Sequence, residues 1–132
     1  MIKKSYAISF HLLSIRTNMI EDLLEIISNI SGIISSGIFD EKGLLICYFG
    51  DREITNKIAN TMQRIVNENH DQFYSLNLEP ITCLTLIGDT GTSLFWPLKK
   101  SSSLAMMIDN DANLGKIRRN VEHYLPRIKE LI

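Results

Sequence analysis

The stretch from Ser103 to Arg119 limits the possible folds more than any other part of this chain. Leu104-Ala105-Met106-Met107-Ile108 is an apolar run of strand length and predicts a buried strand. Asp109 to Ala112 follow as a polar turn, and Asn113 opens an amphipathic helix that buries Leu114, Ile117, Val121, Leu125 and Ile128. Pro126 lacks an N–H and clashes with the preceding turn, so it is expected to kink this helix or end its regular part. The segment closes a compact domain and offers no obvious reactive group.

Upstream, Asn18 and Glu21 have the spacing of a capping box, which predicts a helix beginning there. Ile20, Leu23, Leu24, Ile27 and Ile30 form its apolar face, and Gly32 supplies a residue able to leave the helix at positive φ. Ile33 to Phe39 and Leu44 to Phe49 read as strands of a hairpin, joined by Asp40-Glu41-Lys42-Gly43. Asp51 caps a second helix over about 52–69, with Ile54, Ile58, Met62, Ile65 and Val66 as its buried stripe, widened by Ala59. Asn56, Asn60, Gln63 and Asn67 form another stripe on this helix, polar but uncharged, able to meet a partner without desolvating full charges. Three apolar runs then follow, Ile81 to Ile87, Thr92 to Leu98 and Leu104 to Ile108, with connections short enough for antiparallel neighbours. Trp96 and Phe95, adjacent in the second run, point to opposite faces; core positions are expected for both, the alternative being that one lies under a helix or at a partner interface.

The expected fold is therefore α/β of the α+β kind, in the order α-β-β-α-β-β-β-α. A five-stranded sheet cannot bury both faces alone, so helices on each side make a three-layer sandwich. Residues 18–132 form one domain and residues 1–17 an amino-terminal extension, read as a flexible arm or an added edge element.

At 132 residues, with 45% apolar and 22% charged residues and a net charge of −1, the composition is that of an ordinary globular domain and argues against a nucleic-acid partner. Charge is uneven along the chain: between Ile20 and Asn60 seven acids face three cations, whereas from Asn113 onward five cations face two acids. Such opposite signs suit two solvated helix faces or a charged docking surface. Cys47 and Cys83 lie in apolar strand-like runs and read as small buried hydrophobes of a reducing compartment. Lys3 and Lys4 precede an apolar run, yet Ser5, Ser9 and His11 interrupt it and no small-residue cleavage site follows. A cytoplasmic protein without membrane insertion is the expectation.

Candidate chemistry is thin. Asp89-Thr90-Gly91, preceded by apolar Leu84-Thr85-Leu86-Ile87, resembles the aspartic-protease triplet, but only a short meander and a helix remain downstream for the rest of such an enzyme. Asp109, Asp111 and Asn113 open like a calcium loop; Leu114 then stands where a sharp-turn Gly is needed and Asn120 where a bidentate Glu is needed, so helix capping accounts for them better. His11, His70 and His123 have no partner at metal-ligand spacing, and no phosphate-binding Gly-rich loop is present. No catalytic residue, cofactor or metal is expected.

The hairpin carrying Asp40-Glu41-Lys42-Gly43-Leu44-Leu45-Ile46, the second helix with Ile58-Ala59, and Leu104 to Ile108 followed by Asn113-Leu114-Gly115-Lys116-Ile117-Arg118 resemble the roadblock family of dynein-light-chain-like domains, over about 18–132. The resemblance implies five antiparallel strands, one helix on one face and two on the other. It also implies dimerisation, with itself or with a paralogous roadblock subunit, in which second helices lie side by side and central strands join into a continuous sheet. It further implies a non-enzymatic scaffold or regulator of a small Ras-like GTPase. On this chain the positions carried over are Asn56, Ala59, Asn60, Gln63 and Asn67, as dimer or GTPase contacts, with Arg52 or Arg64 as a conceivable arginine finger. The alternatives are a profilin- or longin-like small-molecule sensor or trafficking module and, third, a dimeric aspartic protease using Asp89.

Overall fold

The computed structural model describes the backbone of residues 2–132 and the side chains from Leu12 onward. The elements are α1 (Ile2–Ser28), β1 (Ile33–Phe39), β2 (Leu45–Phe49), α2 (Arg52–Glu68), a short α3 (His70–Ser75), β3 (Leu84–Ile87), β4 (Thr92–Pro97), β5 (Ser103–Ile108) and α4 (Leu114–Leu131). The strands form one antiparallel sheet in the order β2-β1-β5-β4-β3. This is the expected α-β-β-α-β-β-β-α architecture, with α3 inserted after the second helix.

Local chemistry explains most boundaries. The Asp40 carboxylate accepts from the backbone N–H groups of Lys42 and Leu44 at 2.9 Å each, and Gly43 takes φ +80, which together close the β1–β2 turn. Asp51 caps α2 by accepting from the Ile54 N–H at 3.1 Å, and Asn113 caps α4 through the Lys116 N–H at 3.0 Å. Among the residues with calcium-loop spacing, Asp109 accepts from the Asp111 N–H at 3.3 Å within the turn that leads to the Asn113 cap.

One expectation fails. The first helix does not begin at Asn18 but at Ile2; no Gly or Pro interrupts residues 2–17, so nothing stops the helix from propagating back through its presumed cap. Of the two outcomes expected at Pro126, termination is not the one found: α4 continues to Leu131, and Leu125, Ile128 and Leu131 on either side of the ring stay buried against the core.

Strand alternation divides the core in two. Ile38, Leu94, Trp96, Leu104, Met106 and Ile108 point to the face covered by α1 and α4, against Ile20, Leu24, Ile27, Ile117 and Val121. Phe39, Phe95 and Ala105 point to the other face, against Ile58, Ala59 and Met62 of α2. Trp96 and Phe95 are thus both buried, on opposite faces. One face carries two helices and the other a single long one, α2, which packs mainly on β1 and β5 and touches β2 and β4 less.

Candidate functional site

The helix that lies alone on its face is the natural place to look for a partner surface. Thr55, Ile58, Ala59 and Met62 turn one side of α2 inward. At Gly37 of β1 a Cβ would stand 2.6 Å from the Thr55 Cγ2, so the glycine is what lets α2 approach the sheet this closely.

The two flanks of α2 meet different neighbours. On one flank, Asn60 and Gln63 line a depression of about 180 Å³ together with Lys42 and Gly43 of the β1–β2 turn and Ser101 of the β4–β5 loop. Gln63 donates to the Asn67 side chain at 3.1 Å, which holds the amide stripe along the helix. On the opposite flank, Lys57, Ile58, Thr61 and Met62 border a second depression of about 180 Å³, closed on its far side by Leu86 of β3 and Ser93 of β4. Leu86 is 44% exposed and Ile87, at the sheet's edge, 73% exposed.

Of the five residues singled out from sequence, Ala59, Asn60 and Gln63 border the same depression. Asn60 and Asn67 are exposed, and Asn56 and Gln63 are half-buried on the same side of the helix. Ala59 is 4% exposed and packs with Phe39 and Ala105, forming the floor of that depression where it meets the core under α2. Lys57, Thr61, Leu86 and Ser93 were not anticipated: on the helix Lys57 and Thr61 look like any solvated positions, and only the fold sets Leu86 and Ser93 beside them.

The sheet order also corrects which strands can extend between subunits. The central strand β5 is hydrogen-bonded on both sides, to β1 and β4, so the central strands of two copies cannot join; the open edges belong to β2 and β3. Arg52 sits at the start of α2 with its guanidinium 6.0 Å from the Tyr48 ring centroid, and Arg64 is exposed farther along. Asp89 is exposed in the β3–β4 turn, where its backbone carbonyl accepts from the Asn110 side chain. Cys47 and Cys83 are free thiols. Burial, helped by the nearby Glu21 carboxylate and opposed by a hydrogen bond with the Ile38 backbone, pushes the Cys47 thiol up to about 12. No helix among the described residues is long and apolar enough to cross a membrane.

A five-stranded antiparallel sheet with one helix on one face and two on the other is the arrangement of a roadblock domain, and that is the fold of this chain. No family model matches the sequence, and no curated protein is similar to it in sequence. Solved structures do match over most of its length. Myxococcus xanthus MglB superposes with a TM-score of 0.74 at 15% identity, covering 88% of this chain and 92% of that one. A Roadblock/LC7 domain from Streptomyces avermitilis does so with a TM-score of 0.69 at 10% identity, over 83% and 94% of the two chains. LokiProfilin1, solved in complex with rabbit actin, is also similar, at a lower TM-score of 0.59 and 15% identity, over 87% and 97%.

Proposed function

We propose that this roadblock domain is a non-enzymatic dimeric module that binds a small Ras-like GTPase and biases its nucleotide cycle. The observation that carries the reading is the half-covered sheet face beside an open edge. The α2 helix shields β1 and β5 but leaves Leu86 exposed over β3, with Lys57 and Thr61 on the adjoining flank. A second copy related by a twofold axis fills that gap by laying its own α2 antiparallel to the first and pairing its β3 with the open β3 edge. Exposed Ile87 and Leu86 then become buried at the seam.

Dimerisation through that flank leaves the amide stripe of Asn56, Asn60, Gln63 and Asn67 free on the other. Uncharged amides are cheap to desolvate and adaptable as donors and acceptors, which suits a partner whose contact loops change conformation. A module that holds one arrangement of those loops more tightly than the other shifts the GTPase toward it without supplying a catalytic group. The GTPase assignment rests on the family resemblance; the division of α2 into two flanks rests on geometry.

Light scattering after size exclusion tests the assembly, with Leu86→Lys and Thr61→Arg expected to give monomers of unchanged circular dichroism. Asn60→Arg should remain dimeric and lose nucleotide-state-dependent binding to a Ras-like GTPase from the same genome. A wild-type chain that stays monomeric at high micromolar concentration would overturn the dimer. Equal affinity for the GTP- and GDP-loaded forms would overturn the regulatory role.

A further inference from the structure

The opposite edge of the sheet carries a second surface, independent of α2 and of the GTPase reading. Strand β2 has no neighbour on its outer side among the described residues. Helix α1 runs alongside it, and the two enclose an open groove of about 360 Å³. Leu24, Ile46, Cys47 and Phe49 give the groove an apolar lining, and Glu21 and Glu25 stand along its helical wall. Both carboxylates are exposed, and neither has a cationic side chain within 4.0 Å among the described residues.

We infer that this groove takes an extended, basic segment of a partner protein as a sixth strand, paired to β2 and neutralising Glu21 and Glu25. A groove between an edge strand and a helix is a common way of adding a peptide strand: main-chain hydrogen bonds supply affinity and alternate side chains supply specificity. The spacing narrows the occupant further. Glu21 and Glu25 are one helical turn apart, about 6 Å between their Cβ atoms. In an extended chain, residues two apart lie on one face, separated by about 6.6 Å. The fitting segment is therefore basic-x-basic, with both basic heads on the acids and their methylene stems over Leu24, Cys47 and Phe49.

The bulge in β2 sets the length of the pairing. Ile38 pairs with Cys47 and Phe39 with Leu45, so Ile46 is an extra residue. Such a bulge protects an edge from long sheet-to-sheet association and leaves Cys47 to Phe49 as a short regular ladder, enough for a peptide and too little for a second sheet.

The test uses the full chain and a fluorophore-labelled peptide, acetyl-Ser-Val-Lys-Ser-Lys-Val-Ser-amide, followed by fluorescence anisotropy. Saturable binding is expected, weakened about tenfold by Glu21→Lys or by Glu25→Lys. Asp22→Lys, an exposed charge on another side of α1, should leave it unchanged. The same peptide N-methylated at its three central residues should not bind, since it cannot form the ladder. The inference is overturned by any of three results: equal binding of the N-methylated peptide, equal loss with Asp22→Lys, or no binding at millimolar peptide. Leu86→Lys should retain full peptide binding, which separates a failure at this edge from a failure of the dimer at the other.

Discussion

Ala59 carries two readings from sequence, as part of the inward stripe of α2 and, through the family resemblance, as a contact position; the residue is 4% exposed and packs with Phe39 and Ala105. Ala59→Arg is therefore expected to cost the monomer about 3 kcal/mol or more by overpacking and by burying a charge, visible as a lowered denaturant midpoint. Gly37 is the partner of that close approach, and Gly37→Ala should destabilise by about 1–3 kcal/mol because the new methyl collides with Thr55. Cys47 makes a prediction in pH. Its folded value lies above the ordinary 9.0, so the folded state holds the thiol proton more tightly than the unfolded chain does. The stabilisation is complete below pH 9 and declines as pH rises from there toward 12, and Cys47→Ala should flatten that alkaline limb in urea titrations. At neutral pH the same thiol should react with Ellman's reagent far more slowly than an exposed cysteine.

At the scale of elements, the caps and turns were the most legible features, because their chemistry is local. Asp51, Asn113 and the Asp40 to Gly43 turn depend on atoms within four residues, and each appears where it was read. Asn113→Ala should cost about 1 kcal/mol of stability. The α1 start was not legible, and the choice at Pro126 between a kink and a stop was not either, for a shared reason: a local signal to begin or end a helix is weak beside propagation and packing. Asn18 has no breaker before it, and Pro126 is outweighed by the burial of Leu125, Ile128 and Leu131. Replacing Pro126 by Ala restores an N–H to the helix interior and should raise the melting temperature, by up to the equivalent of about 3 kcal/mol.

For the whole molecule, the consequential fact is the unequal cover of the sheet's two faces. Two helices seal one side, whereas α2 alone leaves Leu86 bare on the other. A dimer that buries this gap couples folding to association, so the wild-type melting temperature should rise with protein concentration while that of Leu86→Lys should not; scanning calorimetry over a hundredfold concentration range separates the two. The edges of the sheet have distinct surroundings as well, with exposed aliphatic Leu86 and Ile87 at β3 and a groove walled by Glu21 and Glu25 at β2. These edges therefore suit different partners.

Periodicity, turn residues and caps in the chain were sufficient for the class of fold, the order of its main elements and the inward assignment of Phe95 and Trp96 to opposite faces. Those properties follow from interactions between residues close in sequence and from the alternation of side chains along a strand. The surroundings of each flank of α2, the exposure of Leu86 and the groove between α1 and β2 were decided by tertiary structure alone. Each depends on which distant strand lies beside a helix, and that is settled by the packing of the whole sheet.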